Sequence, residues 1–219
     1  MKSLQPSRAI VDVFSDSFRQ HVRLLIAWGL ELAIDHIRQT DEEEHITGFL
    51  FDAIDEVLYS NRAAWCKHYD VHNERPISSG GQPGKSRREI DLLIKFVTSP
   101  YRPEYVFEAK PLNYLKPYQR ESNYINKGAL QRFIRGEYDV FTSRYPEAGM
   151  LGYVLSDTPE QWSERLMLVI DNNQALLRLI PPQVSIVTVS SFPYEWVSEH
   201  KRESSERPIK IYHLLLNCR

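Results

Sequence analysis

Apolar side chains recur every three or four residues from about Phe14 to Ile37: Phe18, Val22, Leu25, Ile26, Leu30, Ala33, Ile34 and Ile37. That spacing predicts an amphipathic helix. Thr40-Asp41-Glu42-Glu43 has the form of a capping box, with Thr40 as N-cap and Glu43 as N3. It predicts a second helix carrying Ile46, Leu50, Ala53, Ile54, Val57 and Leu58 on its apolar stripe. After Trp65 the period shortens. Tyr69–His72, Glu89–Phe96 and Glu104–Lys110 read as strands, the last two joined by a turn at Ser99–Pro103. The composition of Ser78–Ser86 is that of a loop. A helix is expected from about Gln119 to Arg135, with Ile125, Ala129, Leu130, Phe133 and Ile134 inward. Met150–Leu155 follows as a short strand, then a helix opened by Thr158 with Pro159 in its first position. Val184–Val189 and Ile209–Leu215 read as two final strands. Helices, a strand-rich middle, then alternating helix and strand together predict an α/β or α+β class with a mixed sheet.

The chain has 219 residues, which suits one domain with additions. Lys and Arg number 27 against 29 Asp and Glu, so coating nucleic acid by charge alone is excluded, whereas a local basic groove is not. Cys66 and Cys218 lie far apart and form no CxxC, so they read as two reduced thiols. No apolar run approaches the roughly 18 residues of a membrane span, and the first eight residues lack the apolar segment of a secretory signal. A cytoplasmic protein without membrane contact is the expectation.

Asp91, Glu108 and Lys110 carry the candidate chemistry. Glu108 and Lys110 alternate on one strand and so share a face. Asp91 lies on the neighbouring strand and meets either of them if the register sets them opposite; a register opposing it to Ala109 would aim the carboxylates apart. Two carboxylates and a lysine amid apolar strands are costly to desolvate. A divalent cation offsets that cost, and Mg²⁺ favours carboxylate and water oxygens. Such an ion acidifies bound water and polarises a phosphoryl oxygen, while the Lys110 ammonium can orient water or stabilise developing negative charge. The competing explanation is a cross-strand salt bridge on an exposed face, worth about 0.2–1 kcal/mol.

Ile90-Asp91, a hairpin, then Glu108-Ala109-Lys110 resembles the bipartite motif of the PD-(D/E)xK nuclease superfamily, with Ile90 in place of the leading Pro. The resemblance covers roughly residues 40–156. It implies a restriction-endonuclease-like α/β fold: a mixed sheet core flanked by helices, here with an N-terminal helical extension (1–39) and a C-terminal helix and strands (157–219), all in one domain. It further implies a Mg²⁺-dependent nuclease, with Mn²⁺ as substitute, that leaves a 5′-phosphate and a 3′-hydroxyl. Asp91, Glu108 and the Ala109 carbonyl would bind metal and Lys110 would position water. The substrate expected is DNA rather than RNA. A homodimer, or a partner protein in a larger system such as bacterial antiviral defence or restriction, fits the lack of a recognisable specificity domain. A non-catalytic nucleic-acid- or protein-binding module that keeps the fold is the alternative.

The family often adds an acid from its first core helix. Glu42, Glu43 and Glu44 are the candidates, and helical spacing ranks Glu43 first, within the sector of the apolar stripe. All three would equally serve to stabilise the helix start through its dipole. Lys127 and Gln131, four apart on the next helix, could face the cleft or simply water. Lys85, Arg87 and Arg88, in the Gly-rich loop, could grip a phosphate backbone or merely solvate that loop. Tyr114, Tyr118 and Tyr124, near Lys116 and Arg120, could stack on bases or pack internally. A second Glu-x-Lys, Glu199-His200-Lys201, has no partner hairpin and reads as a solvated segment, as do Ser198 and Arg202 beside it. His68 and His72 lack further ligands nearby.

Overall fold

The computed structural model describes residues 8–76, 89–98, 103–142 and 145–219, with backbone only for 8–15 and 74–76. Seven strands form one mixed sheet. They are β1 (Tyr69–Pro76), β2 (Glu89–Phe96), β3 (Glu104–Leu112), β4 (Glu147–Val154), β5 (Leu179–Ser185), β6 (Trp196–His200) and β7 (Ile209–Asn217). Their spatial order is β1-β2-β3-β4-β7-β6-β5. The pairs β3–β4 and β4–β7 are parallel and the others antiparallel.

Helices α1 (Arg8–Ala33) and α2 (Glu43–Tyr59) pack on one face of the sheet. Their stripe of Val22, Leu25, Ile26, Ile46, Leu50 and Ile54 meets Leu92, Ile94, Phe107, Ala109 and Leu151. The opposite face is covered by α3 (Glu121–Tyr124), α4 (Leu130–Ile134), α5 (Asp139–Thr142), α6 (Pro159–Asn172) and α7 (Gln174–Leu177). There Leu130, Phe133, Tyr138, Trp162 and Leu166 meet Leu93, Val106 and Met150. Alternation over Leu92–Ile94 of β2 and Tyr105–Phe107 of β3 divides these residues between the two cores. The apolar periodicity of α1, α2 and α6 is thus the stripe each helix buries, and Thr158 forms a true capping box with Gln161 at the head of α6.

Four expectations are corrected. Thr40 does not cap α2: the Asp41 carboxylate accepts from the Arg38 N–H at 2.7 Å and closes a turn over 38–41. The helix starts at Glu43 after an N-cap Glu42 without a side-chain cap. The helix expected over 119–135 is broken between α3 and α4. Asn126 Oδ1 accepts from Gly128 N at 2.7 Å, and an Asn side chain bonded two residues ahead makes a turn that competes with helix. The strand expected at Val184–Val189 begins five residues earlier and carries Pro181 and Pro182, tolerated because β5 is an edge strand.

The fourth correction concerns Glu199-His200-Lys201, which belongs largely to β6, an internal strand between β7 and β5. Ser198, His200 and Arg202 are buried, not solvated. Their burial is compensated by hydrogen bonds. His200 Nδ1 lies 2.6 Å from the Leu177 carbonyl and must donate to it. Its Nε2, in the neutral ring, then accepts from Ser198 Oγ at 2.8 Å. Ser198 in turn accepts from His213 Nε2 at 2.7 Å, and Tyr124 donates to His213 Nδ1 at 3.0 Å. Burial lowers the pKa of His200 to about 4 and depresses that of His213 as well, which keeps both rings neutral as this chain requires.

Candidate functional site

The β2–β3 ladder pairs Leu92 with Phe107 and Leu93 with Val106. The regular pairing stops there. Glu108 and Lys110, two apart on β3, share a face, and beyond the end of the ladder Asp91 Oδ2 accepts from the Ala109 backbone N–H at 2.6 Å. A strand residue's N–H and C=O point toward the same neighbour, so the Ala109 carbonyl is turned to the Asp91 side. Glu43, the first residue of α2, reaches the same place. Lys110 Nζ lies 2.7 Å from Glu43 Oε1 and 3.0 Å from Glu108 Oε1. Carboxylate oxygens of Glu43, Asp91 and Glu108 all lie within 4.8 Å of one another.

Two residues that sequence reasoning did not single out complete the cluster. Arg132, on α4, donates through Nη1 to Glu108 Oε1 at 3.0 Å and Oε2 at 2.8 Å. Tyr138, in the turn before α5, donates its hydroxyl to Glu108 Oε2. No local signal marks either residue, because only the packing of the α4–α5 region on β3 brings them to Glu108. Glu108 is 1% exposed, and its four acceptor directions are filled by Lys110, Arg132 twice and Tyr138.

The electrostatics follow from crowding. Burial, reinforced by Glu108 and Glu43 and opposed by Lys110, pushes the Asp91 carboxyl up to about 8. Burial also raises Glu43, against the pull of Lys110. For Lys110 burial opposes the charge, but Glu108, Glu43 and Asp91 outweigh it and hold the ammonium above its ordinary value.

Beside the cluster opens a cleft of about 450 Å³, lined among others by Glu43, Lys110, Tyr118, Gln119, Asn123 and Asn126. Gln119 is 4% exposed, yet its Oε1 has no hydrogen-bond partner among the described residues. A buried acceptor left open in a cleft wall is the kind of group a bound molecule or ordered water satisfies. Glu42 and Glu44 stand at the rim, exposed.

The remaining candidates divide. Lys127 is exposed, and Gln131 turns away to donate to the Ile125 carbonyl at 2.9 Å; the helix they were to share is interrupted, so they form no common face toward the cleft. Tyr124 is fully buried and bonded to His213, which removes it as a stacking surface. Tyr118 is 64% exposed at the cleft, and the Tyr114 ring lies between the guanidinium groups of Arg120 and Arg165 at 4.7 and 4.9 Å. His72 pairs with Asp70 at 3.0 Å, and among the described residues only Glu43, Asp91 and Glu108 group as three metal-ligand types. Cys66 and Cys218 are free and buried. Lys85, Arg87 and Arg88 lie outside the described residues. No helix among them is long and apolar enough to cross a membrane.

No protein-family model, curated protein or solved structure matches this chain.

Proposed function

We propose that this chain is a metal-dependent phosphodiesterase of the PD-(D/E)xK type with a restriction-endonuclease-like core, acting on nucleic acid, DNA before RNA. The observation that carries the reading is the convergence of Glu43, Asp91 and Glu108 with Lys110 at the head of an open cleft. The arrangement of α2, three antiparallel strands, a helical segment and a parallel β4 supports it. The buried open acceptor of Gln119 adds an independent sign of a ligand.

The donor set fits a hard divalent cation. Three carboxylates and a backbone carbonyl are all-oxygen ligands, as Mg²⁺ or Mn²⁺ prefers, and Asp91, raised by burial and then by Glu108 and Glu43, is a carboxylate whose charge a cation would favour. Glu43, Asp91, Glu108 and the Ala109 carbonyl would hold it. When bound, such an ion acidifies water and polarises a phosphoryl oxygen. The chain's own part is positional. Lys110, on the cleft side of Glu108, is placed to hold a water by hydrogen bond and to offset negative charge growing on the phosphate. Water oxygen forms the new bond to phosphorus and gives its proton to solvent, while the bond to the 3′ oxygen breaks and that oxygen takes up a proton from solvent to become the 3′-hydroxyl. Tyr118 offers a face for a base.

A non-catalytic module is the second reading, and the complete saturation of Glu108 by protein donors is the observation that favours it. Cleavage of plasmid and oligonucleotide substrates with Mg²⁺ or Mn²⁺ decides between them. Activity lost in EDTA and in both Asp91→Ala and Lys110→Ala is expected. Undiminished activity in both variants would dismiss this site, and no activity together with no Mn²⁺ binding would leave the module.

A further inference from the structure

Glu108 is held from two sides, and the sides differ. Of its partners, only Lys110 lines the cleft. Arg132 and Tyr138 grip the carboxylate from the helical layer and do not line the cleft. Arg132 is itself immobilised. Besides Glu108, its Nη2 donates to the Glu89 carbonyl at 3.0 Å, its Nε to Glu137 Oε2 at 3.3 Å, and its guanidinium lies 4.8 Å over the Tyr138 ring. A cation arriving from the cleft can take the place of the Lys110 ammonium on Oε1. It cannot displace Arg132 without undoing these three further contacts. The charge of Glu137 is shared with Arg135, so it does not cancel that of Arg132.

We infer that Arg132 is a positioning residue for Glu108 and at the same time a resident counter-charge that keeps the affinity of the cluster for a divalent cation low. The inference rests on the metal-binding reading above and concerns how that site is tuned. With Lys110 and Arg132 both in the cluster, three carboxylates face two positive charges, of which that of Arg132 is fixed in place. A divalent ion then leaves the cluster positive, and the charge is brought back to balance by the anion of a phosphodiester. Removing the Arg132 charge removes a repulsion acting over a few ångströms in a half-dry site, where Coulomb energies are several-fold larger than in water.

The test is calorimetric titration of the full chain with Mn²⁺ alone. Arg132→Gln, which keeps a hydrogen-bond donor without the charge, should bind Mn²⁺ about tenfold more tightly than wild type. Arg132→Lys should restore the weaker binding. Tyr138→Phe, which removes a neutral donor from the same carboxylate, should change affinity by less than about threefold. A role confined to folding would weaken Mn²⁺ binding in Arg132→Gln, so equal or weaker binding in a variant with a cooperative unfolding transition overturns the inference. If Arg132→Gln does not fold, the other two variants decide: a large gain in Tyr138→Phe or in Arg132→Lys overturns it equally. Wild-type protein and variants that all fail to bind Mn²⁺ would overturn the metal reading itself, a separate result from wild-type binding without a gain on removal of Arg132.

Discussion

Replacing Asp91 by Asn isolates the electrostatic cost of the acid cluster. Asn keeps an oxygen to accept from the Ala109 N–H, now at 2.6 Å from Asp91 Oδ2, and removes the charge. In the folded protein the carboxyl titrates near 8, against an ordinary value of 3.8 in the unfolded chain. Between those values the folded state keeps a proton that the unfolded state has released. The associated stability is therefore complete below about pH 4 and is lost as pH rises through about 8. At ~1.4 kcal/mol per unit the whole interval amounts to roughly 6 kcal/mol. Asp91 retains some contact with solvent, and screening brings the expected effect to about 2–4 kcal/mol. Urea unfolding of the metal-free protein in EDTA at pH 5, 7 and 9 measures it. Relative to wild type, Asp91→Asn should gain that amount between pH 5 and 9. Mg²⁺ added at pH 9 should recover the difference for wild type only. Two curves that run parallel across this range would refute the claim that burial, with Glu108 and Glu43 beside it, raises Asp91.

Two structural predictions concern the sheet that carries the site. Arg23 and Glu195 form a fully buried pair at 3.0 Å; Glu195→Ala leaves the guanidinium uncompensated and should cost about 3–5 kcal/mol in urea unfolding, with a smaller loss for Glu195→Gln. At Gly149 a Cβ would fall 2.1 Å from the Phe107 ring, which crosses it between β3 and β4. Gly149→Ala should destabilise by about 1–3 kcal/mol, and a Phe107→Leu background should recover part of the loss in a double-mutant cycle.

The local content of the chain announced most of its elements. Period-3.6 stripes marked α1 and α2, alternation and turn residues marked β2 and β3, and Thr158-Pro159 marked the head of α6, because each of these signals acts over a few residues. Asp91, Glu108 and Lys110 could be nominated for the same reason: strand alternation states which of them share a face. What the chain left open was where Asp91 would sit: the ladder ends at Leu92–Phe107, and past its end Asp91 binds the Ala109 N–H within reach of Glu108. Local signals also misled where tertiary contacts outweighed them. Asp41 spends its carboxylate on Arg38, so Thr40 caps nothing. Asn126 breaks the helix that periodicity continued. Ser198 and His200 look like surface residues until His213 and the Leu177 carbonyl supply partners from distant segments. Arg132 and Tyr138 lie 24 and 30 residues beyond Glu108, and no periodicity spans that distance. Their place at the carboxylate is a property of how the helical layer packs on the sheet, since the burial of a charge is decided by everything around it and not by its neighbours in the chain.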